Sequence, residues 1–314
     1  TFLNNFALGK RTYTNAKILG ITGSAGKTSL KNLVNNLLEN YGKTFCSPKS
    51  YNNHFGVPLS LSQLSINDKY GVFEVGMSKA GEINTLTKLI RPNLAIITNI
   101  GEAHIENFKN TKGIAEAKGE IIDNVQKKGT IILNRDDKYF SYLHRKAKFK
   151  NLKVTSFGMS RQSDVHPILI KKNSSETKLI LNIKGKIFKT KIKNINIYNV
   201  LASLALLKEL NLNLEKILNY FKYYEPTEGR GRIYDIKRYN KRFKLIDESY
   251  NANPSSVKNA IKNFRSFKKS NFKKYLLLGD MLELGHKADF FHKDISKVIN
   301  NSDIDKVFIK GNKT

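Results

Sequence analysis

This sequence has little of what marks a secreted or membrane protein. It contains one cysteine, Cys46, among 314 residues, which excludes an internal disulfide and favours a reducing compartment. No run approaches the ~18–20 apolar residues that span a bilayer. Residues 1–10 are too few and too polar for the apolar region of a signal peptide. With 40% hydrophobic residues and a mean hydropathy of −0.42, the chain is expected to be a globular, cytoplasmic protein.

Acidic residues are also scarce. The chain has 26 Asp and Glu against 55 Lys and Arg, a net charge of +29. Clustered Lys and Arg bind nucleic-acid phosphates, so this excess raises the hypothesis of a nucleic-acid-binding protein. However, the basic residues are scattered along the chain, and it has no RGG run, zinc-finger spacing or RRM signature. We therefore expect no nucleic-acid partner and keep a nucleic-acid-linked ATPase only as an alternative.

The first two thirds of the chain alternate apolar with amphipathic segments, which is typical of a mainly parallel α/β sheet. Strands are predicted at 17–22, 71–75, 94–99 and 130–133, and helices at 27–40, 82–90, 112–124, 197–210 and 214–223. Between 153 and 193 the alternation has a period of two, which predicts an antiparallel edge on the same domain.

A linker is predicted at 224–232, which contains Pro226, Gly229 and Gly231. It is followed by a predicted hairpin at 233–247 and then by alternating helices and strands. We therefore predict a central domain over 1–225 and a second, Rossmann-like α/β domain over 226–314. The second domain is expected to be incomplete, because the sequence stops just after a strand.

The strongest motif is Ile18-Leu-Gly-Ile-Thr-Gly-Ser-Ala-Gly-Lys-Thr-Ser29, in which a strand runs through a glycine loop into a helix. Gly23 and Gly26 allow backbone N–H groups to turn towards a phosphate, and the helix N-terminus adds positive potential there. Lys27 is predicted to contact the β- and γ-phosphates of ATP, and the Thr28 hydroxyl to bind Mg²⁺. The strict phosphate-loop spacing is not met, because Ile21 stands where the first glycine belongs.

This form of the loop, Thr22-Gly-Ser-x-Gly-Lys-Thr-Ser29, resembles that of the Mur ligase family, and further motifs follow in the family's order along nearly the whole chain. The shared motifs are Tyr51-Asn-Asn-His-Phe-Gly-Val-Pro58, Phe73-Glu-Val-Gly-Met-Ser-Lys-Ala-Gly-Glu-Ile83, Ile97-Thr-Asn-Ile-Gly-Glu-Ala-His-Ile-Glu106 and Ala115-x-Ala-Lys-Gly-Glu120. Two others, Asp247-Glu-Ser-Tyr-Asn-Ala-Asn-Pro254 and Leu278-Gly-Asp-Met-x-Glu-Leu-Gly285, most resemble the branch of the family that adds D-alanyl-D-alanine.

The resemblance implies a set of site residues. Expected nucleotide contacts are Gly23, Ser24, Gly26, Lys27, Thr28, Ser29, Asn199, Arg230 and Asp247. Expected metal ligands are Thr28, Glu74, His104 and Lys118, with Lys118 carbamylated, and the expected catalytic residues are Lys27, Lys118, His104 and Arg230. Asn52, Asn53, Tyr250 and Asn251 are expected to bind substrate. Without the resemblance, Lys118 is better explained as a solvated helix lysine, and Arg232 rivals Arg230 as the phosphate contact.

The predicted function is therefore ATP- and Mg²⁺-dependent ligation of D-Ala-D-Ala to UDP-N-acetylmuramoyl-tripeptide, a step of peptidoglycan synthesis. The enzyme is expected to be a monomer. The resemblance also implies that the family's N-terminal uridine-diphosphate-binding domain is absent from this sequence. Two alternatives remain open beside the nucleic-acid-linked ATPase. One is a related ligase for another amino acid, such as a folylpolyglutamate-type synthetase. The other is a catalytically incomplete fragment.

Overall fold

The computed structural model describes residues 2–173, 176–193, 195–265, 267 and 272–313. These residues divide into two compact units, each described here by itself. The first comprises the described parts of Thr1–Ile100 and Lys112–Glu225, and the second those of Gly101–Thr111 and Pro226–Thr314. None of the helices in these residues has both the length and the apolar character that a membrane crossing requires.

The first unit is built on a nine-stranded sheet. Its strands are β1 (Lys17–Thr22), β2 (Thr44–Cys46), β3 (Tyr70–Glu74), β4 (Leu94–Ile97), β5 (Thr130–Asn134), β6 (Lys153–Phe157), β7 (Val165–Lys172), β8 (Thr177–Ile183) and β9 (Lys186–Ile192), in the spatial order β2-β3-β1-β4-β5-β6-β7-β8-β9. Pairing is parallel from β2 through β7 and antiparallel for β7–β8 and β8–β9. The fold prediction, a mainly parallel sheet with an antiparallel edge, is therefore confirmed.

Helices cover this sheet on both faces. They are α1 (Phe2–Tyr13), α2 (Lys27–Leu38), α3 (Gly56–Ser62), α4 (Glu82–Ile90), α5 (Thr111–Gly119), α6 (Phe140–Phe149) and α7 (Ile197–Glu209). The central strands are apolar at nearly every position because both of their faces are buried. Helix α7 is buried at nine consecutive positions and packs with α2 against the sheet. One large hydrophobic cluster thus lies between the sheet and the helix that begins at the glycine loop.

The second unit contains a hairpin and a parallel strand pair. The hairpin consists of β10 (Arg232–Arg238) and β11 (Lys241–Asp247). Its two-residue turn, Tyr239 and Asn240, has φ of +50° and +55°, which matches the twist of the flanking strands. Helices α8 (Pro254–Arg265) and α9 (Ala288–Asn300) pack together, and β12 (Tyr275–Gly279) pairs in parallel with β13 (Lys306–Lys310).

Three predicted elements are wrong in detail. The helix predicted at 112–124 is α-helical only as far as Gly119 and continues as a 3₁₀ helix, Glu120–Asn124. The helix predicted at 214–223 is two short 3₁₀ turns, Leu214–Ile217 and Tyr220–Lys222. The apolar spacing that suggested one helix also suits such turns, because it buries Leu214, Ile217 and Phe221 on one side. In addition, Lys153–Phe157 is not part of the antiparallel edge but a parallel strand paired with β5.

Candidate phosphate-binding site

The glycine loop lies at the carboxyl end of β1, between β3 and β4, where open parallel sheets bind their ligands. Gly23 has φ +147° and Gly26 has φ +80°, a backbone region that side chains with a Cβ rarely adopt. A Cβ on Gly23 would stand 1.9 Å from Oγ1 of Thr98. Close packing as well as backbone conformation therefore requires glycine at this position.

The residues after β4 hold the loop in shape. The backbone carbonyl of Asn99 accepts a hydrogen bond from Ser24 N at 2.9 Å, and its side-chain oxygen accepts one from Ala25 N at 2.9 Å. The Thr98 hydroxyl donates to Ala25 O at 2.7 Å. Neither Thr98 nor Asn99 was given a role in the sequence analysis, although both lie in a quoted motif, at the end of the strand predicted at 94–99.

The lysine and threonine that follow the loop begin α2. The Lys27 ammonium donates to Gly23 O at 2.9 Å, so it lies across the loop. Ser29 is half-buried in the same first turn, and Ser24 is buried in the loop. Nearby, Oδ1 of Asn199 would be 3.3 Å from a Cβ on Gly26. These predicted nucleotide contacts therefore surround one helix N-terminus, where the helix dipole favours anions.

A buried carboxylate lies beside this helix start. Glu74, at the end of β3, is 1% exposed, and its Oε2 accepts a hydrogen bond of 2.7 Å from the Thr28 hydroxyl. Its Oε1 accepts another of 2.7 Å from Nδ2 of Asn52. Hydroxyl and carboxylate oxygens are the hard ligands that Mg²⁺ prefers, so Thr28 and Glu74 fit the predicted metal ion. Among the residues described, no group of three His, Cys, Asp or Glu side chains could hold a metal.

Lys118, in the last turn of α5, is 1% exposed. The alternative of a solvated helix lysine is therefore wrong. Burial, reinforced by the positive charge of Lys27, holds the pKa of Lys118 well below the usual value for a lysine. A neutral amine is the form that reacts with CO₂, so this environment suits the predicted carbamate.

Asn52 and Asn53, two of the three asparagines predicted to bind substrate, have different surroundings. Asn52 contacts Glu74, as described above, and its backbone carbonyl accepts from Gly76 N at 2.8 Å. The side-chain oxygen of Asn53 accepts from the backbone N of Phe55 and of Gly56, at 3.2 and 2.9 Å. Asn53 therefore caps the start of α3, whereas Asn52 lies next to the candidate metal ligand.

His104 belongs to the second unit. Its Nδ1 lies 2.6 Å from Oε2 of Glu283, and both residues have φ of +60°. A carboxylate at Nδ1 favours the tautomer that carries its proton there, in which Nε2 bears the lone pair. This arrangement is typical of a metal-binding histidine. The sequence analysis quoted the motif that contains Glu283 but gave this residue no role.

Arg230, Asp247 and Tyr250 form a second cluster in the same unit. The Arg230 guanidinium stacks on the Tyr250 ring at 4.1 Å, whereas its rival Arg232 lies over Tyr234 of its own strand.

The two carboxylate oxygens of Asp247 accept hydrogen bonds from Ser249 and from Gly229 N. The Ser249 hydroxyl contributes most to lowering the pKa of Asp247, so this carboxylate stays ionised. Asn251, also predicted to bind substrate, is exposed.

The sequence analysis missed a second buried lysine near the phosphate loop. Lys31, in α2, is 1% exposed, and its ammonium donates to the backbone carbonyls of Ser47, at 2.5 Å, and Lys49. In sequence it stands among the polar residues of an amphipathic helix. Only the fold shows that the 47–49 loop covers it.

Two sequence profiles match most of the chain. Residues 21–207 match the Mur ligase middle domain. Residues 231–314 match a profile described as the Mur ligase, glutamate ligase domain.

Curated relatives carry the same description in different bacteria. The UDP-N-acetylmuramoyl-tripeptide–D-alanyl-D-alanine ligase of Buchnera aphidicola subsp. Baizongia pistaciae is 35% identical over 97% of this chain and 66% of its own length. The ligase of that name from Bacillus subtilis is 31% identical over 94% of this chain and 63% of its own length. The chain thus spans slightly less than two thirds of these two relatives.

Solved structures resemble the fold closely. A MurF crystal structure from Acinetobacter baumannii superimposes with a TM-score of 0.91 and 27% identity, covering 99% of this chain and 67% of that one. MurF ligase from Thermotoga maritima, solved in complex with ADP, gives 0.87 and 25%, covering 98% and 69%.

Proposed function

The chain belongs to the Mur ligase family, and from this premise we propose that it carries the ATP-binding part of the ligase that joins D-Ala-D-Ala to UDP-N-acetylmuramoyl-tripeptide. The observation that carries the proposal is the contact between Thr28 and Glu74 at the base of the glycine loop. It puts a candidate metal site directly beside a candidate phosphate site, as ATP-driven chemistry requires. The relatives' description supplies the substrates.

Amide formation from a carboxylate needs activation, because a carboxylate resists attack by an amine. Transfer of the γ-phosphoryl group of ATP to the carboxylate gives an acyl phosphate and ADP. The amine of D-Ala-D-Ala then attacks the acyl carbon and releases phosphate. No enzyme nucleophile is needed in this sequence. The protein must instead bring two anions together and neutralise the charge that they share.

The glycine loop supplies the first part of this neutralisation. Backbone N–H groups at the start of α2 are proposed to bind the phosphates, with the Ser24 and Ser29 hydroxyls beside them. Lys27 lies across the loop at Gly23 O, from which its ammonium can turn to the β- and γ-phosphates. We assign Asn199, next to Gly26, to the nucleotide as well.

We propose that Mg²⁺ is held by four residues: Thr28, Glu74, His104 and Lys118. When bound, the metal supplies positive charge to the phosphate oxygens. Carbamylation would convert the Lys118 amine into a carboxylate-like oxygen ligand, and the lowered pKa of Lys118 favours this step. Glu283 would orient the His104 ring through its contact with Nδ1.

Further contacts are proposed from the cluster in the second unit and from the loop before α3. We assign Arg230 to phosphate and Asp247 to the ribose, and we prefer Arg230 over Arg232 because Arg232 packs on its own strand.

We propose that four residues bind substrate: Asn52, Asn53, Tyr250 and Asn251. Since Asn53 already caps α3, it would contact substrate through its remaining amide group. We expect the enzyme to act in the cytoplasm as a monomer.

The proposal is tested by ATP-dependent phosphate release from the complete gene product, with UDP-N-acetylmuramoyl-tripeptide and a series of amines. D-Ala-D-Ala should support release far better than D-Ala, L-Ala or L-Glu. Preference for a single amino acid would favour a related ligase instead. Nucleotide binding without turnover with any amine would identify a catalytically incomplete protein.

A further inference from the structure

We propose that Lys31 is a positioning residue whose buried ammonium holds the 47–53 loop against Thr28 and Glu74. This inference deepens the proposed function and rests on it. The loop supplies Ser50 and Asn52 to the candidate metal site, and the Lys31 ammonium holds the loop through its backbone carbonyls. The residue itself touches neither nucleotide nor metal in the proposed mechanism.

Lys31 lies in the second turn of α2, the helix that begins at the glycine loop. It follows Thr28 by three positions, so the two side chains lie on the same face of the helix. Thr28 points to the candidate metal site, and Lys31 points to the loop that borders it. Its ammonium donates to two carbonyls of that loop, those of Ser47 and Lys49. One helix thus connects the phosphate loop to the 47–53 loop.

The backbone of the loop is strained at one of these carbonyls. Lys49 has φ of +44°, in the left-handed region that is unfavourable for a residue other than glycine. Its carbonyl is one of the two that accept from Lys31. A charge-assisted hydrogen bond of this kind is stronger than a neutral one and can hold the strained conformation in place. Without the ammonium, the two carbonyls lose their donor and the strain is no longer offset there.

The 47–53 loop also contacts the candidate metal site directly. The Ser47 hydroxyl accepts from Glu74 N at 3.2 Å, and Asn52 donates to Glu74 Oε1 at 2.7 Å. The Ser50 hydroxyl lies 3.3 Å from Oγ1 of Thr28. The loop therefore touches two of the candidate metal ligands, Thr28 and Glu74, and carries Asn52 and Asn53, which we assign to substrate. A shift of the loop would disturb these groups and leave the glycine loop, which is held by Thr98 and Asn99, in place.

The test compares Lys31→Met with Arg11→Met. Arg11 is a matched control, because it is also buried in the first unit, at 6% exposure, and donates to two backbone carbonyls, those of Ile90 and Arg91.

Both variants should lower the melting temperature. Only Lys31→Met should raise the Mg²⁺ concentration for half-maximal activity, by about 10- to 100-fold, as loss of supporting contacts around a metal does. It should also raise KM for the tripeptide more than KM for ATP. Lys31→Arg, which keeps the charge and the donors, should recover part of both effects.

A second measurement is independent of ligase activity. Backbone amide hydrogen exchange in 47–53 should be faster in Lys31→Met and unchanged in Arg11→Met, in the chain without ligands. If the exchange changes as expected but the wild type has no ligase activity, the proposed function fails and the positioning role of Lys31 in the loop survives. Two results would overturn the proposal. One is amide exchange in residues 47–53 of Lys31→Met at the wild-type rate. The other is an equal shift in Mg²⁺ dependence for Lys31→Met and Arg11→Met. Lys31→Gln, which removes the charge but keeps a neutral N–H donor group, replaces Lys31→Met in each measurement if that variant does not fold.

Discussion

Lys118 has an environment very different from that of a lysine in water. Burial and the charge of Lys27 both disfavour its ammonium form, so its pKa is lowered. A carbamate forms only from the neutral amine, and acidification reverses it. As the pH falls towards the lowered pKa, the amine becomes protonated and the carbamate is lost. Activity should therefore decline on the acid side, and more steeply when CO₂ is removed from the buffer. Initial rates measured across pH with and without added bicarbonate test this expectation.

Variants of Lys118 separate a metal ligand from a simple buried cation. Lys118→Ala should be nearly inactive, and a small carboxylate such as acetate should restore part of its activity by filling the vacated space. Lys118→Arg keeps a positive charge but cannot form the carbamate in this way, so it should also be inactive. Normal turnover in Lys118→Arg would exclude the carbamate.

Lys27 is predicted to contribute directly to charge neutralisation. Lys27→Ala should lower turnover by about 10²-fold or more, because it removes a cation that acts on the transferred phosphoryl group. Lys79→Ala, at an exposed position on the same chain, is the matched control and should retain normal turnover. Steady-state phosphate release measures both. A Lys27→Ala variant with more than about a tenth of normal turnover would contradict the assignment.

Residues were predictable where their chemistry is carried by a local motif. Gly23, Gly26, Lys27 and Thr28 follow from a strand, a loop and a helix that are consecutive in sequence. Lys31 could not be recognised, because its partners come from another segment and its neighbours on α2 read as an ordinary polar face. The roles that we assign to these four motif residues, and to the other residues of the site, stay predictions.

At the scale of elements, Glu209 connects the end of α7 to the sheet. One carboxylate oxygen contacts Thr155 at 2.8 Å and Lys184 at 2.5 Å, and the other contacts Lys153 at 2.7 Å. Burial alone would raise the pKa of Glu209, but the hydrogen bonds from Lys153, Lys184 and Thr155 outweigh it and lower the pKa. A lowered carboxylate pKa stabilises the fold above the usual value of 4.5 and ceases to do so as the pH falls through the lowered pKa.

Glu209→Gln should therefore destabilise the protein by about 1–3 kcal/mol at pH 7, and the difference from wild type should shrink towards pH 3. Denaturant unfolding at several pH values measures this. Glu116→Gln is the control, since Glu116 forms an exposed pair with Lys112 at 3.9 Å that contributes little. A difference that is independent of pH would exclude the ionised contact as the source of stability.

Element bounds were predictable where the sequence itself ends the pattern. β1 and α4 begin and end at the predicted residues. The apolar run of β1 is followed by the glycine loop, and α4 is followed by Arg91-Pro92, so the sequence itself marks where each element ends. Helix α1 was not predicted. It buries only Ala7 and Arg11, so its sequence lacks the broad apolar stripe by which a helix is recognised.

At the scale of the whole molecule, the charge of +29 is expected to be compositional and not a nucleic-acid-binding surface. Binding to duplex DNA should then fall steeply with salt and be no tighter than ~10⁻⁶ M near 0.15 M salt, as for non-specific phosphate contacts. Fluorescence anisotropy across a salt series measures this. Tighter binding at that salt concentration would revive the nucleic-acid-linked ATPase.

The central claim is that the chain drives amide ligation through an acyl phosphate. The most direct measurement uses UDP-N-acetylmuramoyl-tripeptide with ¹⁸O in its terminal carboxylate, together with ATP, Mg²⁺, D-Ala-D-Ala and the complete gene product. Mass spectrometry of the released phosphate and of the peptide product then follows the label. We predict one carboxylate oxygen in each phosphate released and equal amounts of phosphate and ligated product. Unlabelled phosphate accompanying the product, or phosphate release that does not depend on D-Ala-D-Ala, would contradict this account.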